Sequence, residues 1–124
     1  MRFMLDTNVL IAMLGGTPDV LLEHVTAHDP SDIGISSIVF AEIALGSWNG
    51  KRPPLVVLDQ LSRTFDIAPF DHLAARMYAR LPFRRGSFDR LIAAHAMAQG
   101  AILVTNNEAD FADIPGLRVE NWTR

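Results

Sequence analysis

The sequence predicts an α/β protein built on a mostly parallel sheet. Short apolar segments of strand character alternate with stretches of helical periodicity from one end of the chain to the other, the pattern of β–α–β units. Capping residues, Gly and Pro punctuate the helical stretches. The length, 124 residues with 49% hydrophobic, fits one domain with a real core.

The elements follow in order. Residues 2–5 form a short strand that ends at Asp6, whose carboxylate can cap the turn after it. Thr17-Pro18 opens a helix to about Ala27, with Thr17 as N-cap and Pro18 as the first helical residue. Ile33 to Ser36 is a second strand. Ser37 can cap a helix from Ile38 to about Leu45, with Gly46 at its end. The segment SWNGKRPP up to Pro54 reads as a surface connection. Leu55 to Arg63 is a helix, and Phe65 to Ala68 a third strand. Asp71 caps a helix through Leu81, which Pro82 terminates, with Leu73, Met77, Tyr78 and Leu81 on one face. Ser87 caps a helix from Phe88 to Gln99, ended by Gly100. Its Leu91, Ile92, Ala93, Ala94, Ala96 and Met97 are core positions. Ala101 to Thr105 is a buried strand. A helical turn near Glu108–Phe111 leads to a last strand around Leu117–Glu120.

Composition removes several function classes. There is no cysteine, so disulfides, thiolate catalysis and Cys–zinc sites are excluded. No apolar run approaches the roughly 20 residues of a membrane span, and MRFMLDTN lacks the features of a signal peptide. A cytoplasmic location, away from membranes, is the expectation. Net charge is −3, unlike the basic footprint of a general nucleic-acid binder. Either nucleic acid is not the partner, or a bound cation offsets the acids and local arginines meet phosphate. Lys51 is the only lysine among the basic residues. Arginine suits bidentate phosphate contacts, although a GC-rich genome produces the same bias.

Three acids stand inside separate apolar segments: Asp6 in FMLDTNVLIA, Glu42 in SSIVFAEIALG and Asp89 in GSFDRLIAAHA. A carboxylate in such a setting is costly unless paired or bound to a cation. No Lys or Arg lies at helical spacing from Glu42, and only Arg2 is near Asp6. Each acid has an ordinary structural reading as well; Asp89, for example, can stabilise a helix N-terminus. Sites in parallel sheets lie beyond the carboxyl ends of the strands, where Asp6, Thr105, Asn106 and Asn107 fall and where Asp89 and Glu42 can converge. Together the acids suit Mg²⁺, which prefers a few carboxylates plus water. Such an ion activates water and clamps phosphoryl oxygens. Arg84, Arg85 and Arg90 flank Asp89 and are candidate phosphate contacts or a solvated face. His95 lies about 240° around the helix from Asp89 and reads as structural. His24, His28 and His72 show no ligand spacing.

MLDTNVLI at 4–11, SSIVFAEIALG at 36–46, SFDRLIAAHAMAQG at 87–100, VTNN at 104–107 and IPGLRVENW at 114–122 together resemble the PIN-domain ribonucleases, and among them the VapC-type toxins of prokaryotic toxin–antitoxin pairs. The resemblance spans nearly the whole chain. It implies one PIN domain over 1–124, a three-layer α/β/α sandwich, and an Mg²⁺- or Mn²⁺-dependent endoribonuclease leaving 5′-phosphate and 3′-hydroxyl ends. It places the family's acids on Asp6, Glu42 and Asp89, with Thr7, Asn8 and Thr105 as polar companions. It further implies a homodimer and a VapB-like antitoxin that enters the active-site groove. One departure is Asn107, where many members carry a fourth acid; Asp110 or Glu120 are the candidate substitutes. Two other readings compete. A receiver-like signalling domain would also put Asp and Mg²⁺ at a sheet edge, but it usually shows an acidic pair and a late lysine. A PIN fold that binds RNA and a partner without cleaving is favoured only by Asn107.

Overall fold

The structure is a computed structural model that describes residues 1–124. Five strands form one sheet: β1 (Phe3–Leu5), β2 (Ile33–Ser36), β3 (Asp66–Ala68), β4 (Ile102–Val104) and β5 (Val119–Glu120). Their order is β3-β2-β1-β4-β5 and every pairing is parallel. The helices are α1 (Thr7–Leu14), α2 (Asp19–Thr26), α3 (Ser37–Trp48), α4 (Leu55–Thr64), α5 (His72–Tyr78) and α6 (Phe88–Ala98). From β1 the chain steps outward through β2 to β3, then returns across the sheet to β4 and β5. Right-handed crossovers in opposite directions put the connecting helices on opposite faces. The result is an α/β/α sandwich. No single helix is long and apolar enough to cross a membrane.

Burial explains why so short a sheet holds. All three residues of β1 and all four of β2 are buried, as expected of parallel strands covered on both faces. A core cluster of 21 buried residues runs from Phe3 to Trp122 and includes Leu10, Ile35, Ile43, Leu61, Ile92 and Leu103. Trp122 is buried beside Phe3, and His24 and His28 stack on it with ring centroids 5.5 and 5.1 Å away. The last residues of the chain are thereby fastened to α2.

Several boundaries differ from the sequence reading. Residues 7–14, not expected to be regular, form α1; Asp6 caps it by accepting from the Thr7 N–H. The next helix begins at Asp19, because Thr17 makes no cap and Pro18 is extended. Ser36, not Ser37, caps α3 through its hydroxyl. That helix runs through Gly46 to Trp48. It closes where Gly50 takes φ +81°, with the Lys51 N–H on the Gly46 carbonyl and the Gly50 N–H on that of Ser47. Gly16, at φ +80°, ends α1 with the same pair of bonds; the left-handed backbone they need is cheap only for glycine. Helix α5 stops at Tyr78, short of Leu81, and Leu73 on it is exposed while Ala74 is its buried residue. Ser87 occupies the cap position of α6 without a side-chain bond.

Candidate active site

In a sheet of this order, the connections leaving β1 and β4 run to opposite sides, which opens a crevice beyond their carboxyl ends. Asp6 follows β1 and Thr105 follows β4. The two strands pair there through the Asp6 N–H and the Val104 carbonyl at 2.8 Å.

The Asp6 carboxylate is buried, 5% exposed, and both of its oxygens are engaged. Oδ1 accepts from the Thr7 N–H at 2.9 Å, and Oδ2 accepts from the Thr105 hydroxyl at 2.9 Å. The Thr105 oxygen in turn accepts from the Asn107 N–H at 3.1 Å. The Thr7 hydroxyl donates to Glu42 Oε1 at 3.0 Å. Two threonines thus connect the ends of β1 and β4 to α3 through a continuous line of hydrogen bonds. Asn8, expected among the polar companions, is exposed and makes no side-chain hydrogen bond to the acids.

Glu42 and Asp89 are half-buried, on α3 and in the first turn of α6. All three acids have pKa values above the ordinary carboxylate range. For Asp6, burial is the main cause. Its hydrogen bonds from Thr105 and Thr7 pull the other way, while Asp89 and Asp110 add repulsion. Burial also dominates at Glu42, opposed by Thr7 and reinforced by Asp6 and Asp89. At Asp89, burial is followed by repulsion from Asp110 and by partial relief from Arg90 and Arg84. Asp6 sits at a helix N-terminus, which favours the anion, yet its value is still raised, so desolvation wins.

The mutual repulsion identifies Asp110 as the fourth carboxylate of the crevice. Asn107 donates from its side-chain amide to Asp110 Oδ2, so the residue at the departing position orients the acid one turn later. Glu120 is engaged elsewhere, accepting from the Trp122 ring N–H at 2.9 Å. None of the three salt bridges involves Asp6, Glu42, Asp89 or Asp110. The carboxylates ring the crevice without three of them closing on a single point.

The arginines require correction. Arg90 is 1% exposed and makes two bonds to Asp113, at 2.8 and 3.0 Å. It is unavailable as an RNA contact. Its pairing ties α6 to the segment that carries Asp110, a role with no signal in local spacing because Asp113 lies 23 residues away. Arg84 and Arg85 are exposed, and Arg84 reaches Asp113 at 3.8 Å. His95, expected to be structural, is fully buried on the far side of α6, with Nδ1 2.8 Å from Ser36 Oγ and its ring edge-on to Phe70. The Ser36 cap of α3 therefore rests on His95.

This arrangement of acids at a β1/β4 crevice coincides with a family match: the PIN domain, over residues 3–117. The chain belongs to the PIN domain family. Within it the similarity is to VapC proteins. The chain is 32% identical to the tRNA(fMet)-specific endonuclease VapC of Shigella flexneri, over 99% of both. Among solved structures it superposes on VapBC2 from Rickettsia felis bound to a promoter DNA fragment, with TM-score 0.84 and 33% identity over 98% of this chain and 99% of that one. DNA-bound VapBC from Salmonella typhimurium gives TM-score 0.85 at 30% identity, over 98% of each. In this PIN domain Thr105 bonds the Asp6 carboxylate and Thr7 that of Glu42, tying both to the ends of β4 and β1.

Proposed function

We propose that this PIN domain is an endoribonuclease dependent on a divalent cation, Mg²⁺ or Mn²⁺, and the toxin of a toxin–antitoxin pair. The observation that carries the reading is the gathering of Asp6, Glu42, Asp89 and Asp110 at one crevice with no basic residue paired to any of them. A buried carboxylate beside half-buried ones that repel it, with no cation paired to them, is a fitting donor set for a hard cation. Asp6, Glu42 and Asp89 would hold it, with Asp110 completing the charge. When bound, such an ion lowers the pKa of water and stabilises charge on a phosphoryl group. The chain's own residues do the positioning: Thr105 and the Thr7 amide fix the Asp6 carboxylate in one rotamer, and Thr7 holds Glu42 toward it. The names of the relatives, which specify endonucleases and ribonucleases, support RNA as the substrate.

The solved VapBC assemblies support an antitoxin partner of VapB type. Leu45 and Trp48 on α3 and Val56 on α4 are exposed apolar side chains, and Leu45 shares with Glu42 an open groove of about 470 Å³ bordered by Ile11, Asn49, Lys51 and Arg52. An antitoxin segment with apolar side chains and a cationic residue directed at the acids would fit this face. A homodimer is part of the same reading, and sedimentation of the purified toxin with and without antitoxin measures it.

The test is cleavage of total RNA by purified protein freed of antitoxin, with Mg²⁺ or Mn²⁺, with EDTA, and with Asp89→Asn. Discrete fragments that need both metal and Asp89 are the expected result. Absence of cleavage by protein that binds metal would overturn the nuclease reading and favour a PIN fold that binds RNA without cutting it.

A further inference from the structure

Residues 72–88 contain four arginines, Arg76, Arg80, Arg84 and Arg85, and no acidic residue, in a chain of net charge −3. All four are exposed. Two aromatic rings stand out on the same segment: Phe83 is 78% exposed and Phe88 54%. Phe83 immediately precedes Arg84 and Arg85, and Phe88 immediately precedes Asp89. The segment joins the crevice directly, because it runs through Phe88 into Asp89 in the first turn of α6, and Arg84 lies 3.8 Å from Asp113. At its other end, Arg76 and Arg80 border an open groove between α5 and α6.

Exposed phenylalanine beside exposed arginine has a specific chemistry. The ring offers a face for an unstacked base, and the guanidinium groups take phosphate. The Pro82 ring, which fixes its own φ, limits the freedom of the connection just before Phe83. The arginines also supply locally the positive field that the whole chain lacks.

We propose that residues 83–88 form a rim that binds single-stranded RNA next to the scissile phosphate, with Phe83 as the stacking face and Arg84 and Arg85 as phosphate contacts. This rests on the ribonuclease reading above and adds the residues that hold base and phosphate beside the cut. A target held here must present unpaired bases, so loops and frayed ends are bound and intact duplex is not.

The experiment is fluorescence anisotropy of a labelled single-stranded RNA of mixed sequence, and of the same strand annealed, in EDTA so that nothing is cut. The proteins are wild type, Phe83→Ala, Phe83→Tyr, Arg84→Ala/Arg85→Ala, and Leu73→Ala as a control at another exposed apolar residue. Phe83→Ala should weaken single-strand binding by about tenfold and erase the preference over duplex, with Phe83→Tyr retaining both. The double arginine variant should reduce the slope of log affinity against log salt by about 1.4, two phosphates at roughly 0.7 each for single strands. Leu73→Ala should match wild type. Unchanged binding in Phe83→Ala, with circular dichroism confirming the fold, overturns the proposal. So does unchanged binding accompanied by a shift in sedimented mass, which would make the rim a protein contact. Metal-dependent cleavage by the wild type, measured in parallel, separates the two readings. If it persists while Phe83→Ala binds normally, only the rim is lost. If the wild type neither binds nor cuts RNA, the ribonuclease reading falls as well.

Discussion

At Asp6 the local chemistry pulls in both directions. Two hydrogen bonds and a helix N-terminus favour the anion, and burial opposes it; burial wins. Asp6→Asn or Asp89→Asn should therefore abolish metal-dependent RNA cleavage while thermal melting shows equal or higher stability, because repulsion between like charges is removed. Thr105→Val tests the positioning. It leaves Asp6 Oδ2 without its donor, at a stability cost of about 1–3 kcal/mol, and should reduce cleavage without eliminating it, read from the rate at saturating metal. The pH dependence has a defined sign. Asp6, Glu42 and Asp89 have folded pKa values above their ordinary 3.8 and 4.5, so between those values and the raised ones the folded chain holds more protons than the unfolded chain. Without metal, the contribution of these acids to stability is lost as pH rises through that window. Added Mg²⁺ should raise the melting temperature, increasingly so toward higher pH, since the ion competes with those protons. A melting temperature in metal-free buffer that rises through the same window would contradict the assignment. Asp113 behaves oppositely: Arg90 holds its pKa down, and its contribution is lost as pH falls through its lowered value.

Between elements, the Arg90–Asp113 pair connects α6 to the turn bearing Asp110. Arg90 is buried, and its Nε and Nη1 have no hydrogen-bond partner, so the pair is expensive to desolvate. Replacing both partners of such a pair by apolar side chains is often neutral or stabilising, whereas removing one leaves the other unpaired. The double variant Arg90→Met/Asp113→Leu is thus expected to melt no lower than wild type yet to cleave more slowly, as Asp110 loses its tether to Asp89. Comparing melting curves with initial cleavage rates separates those effects; a parallel loss of both would reduce Arg90 to a packing role. Elements with a punctuated pattern were readable from sequence: β2 at Ile33–Ser36, the Asp71 cap, the Glu108–Phe111 turn and the buried face of α6. Helix α1 was not, because TNVLIAML has apolar residues on nearly every side and no periodicity to distinguish it from a strand extension. The burial of Arg90 is not legible in the sequence for a related reason: its partner comes from a distant segment, and only tertiary packing brings the charges together.

Across the whole molecule, the order of strands decides what can meet. The apolar runs predicted a parallel sheet, and the positions of Asp6 and Thr105 at strand ends predicted a crest, but adjacency of β1 and β4 is a property of topology that no local window contains. That adjacency has a consequence in time. Asp6 is translated 99 positions before Thr105. The central strand β1 lacks one of its two neighbours until β4 has been made, and Asp6 lacks half its hydrogen bonds. A chain still attached to the ribosome, with β4 inside the exit tunnel, has its acids scattered. The crevice assembles only once β4 has emerged, so a nascent chain that stops short of it lacks the finished site.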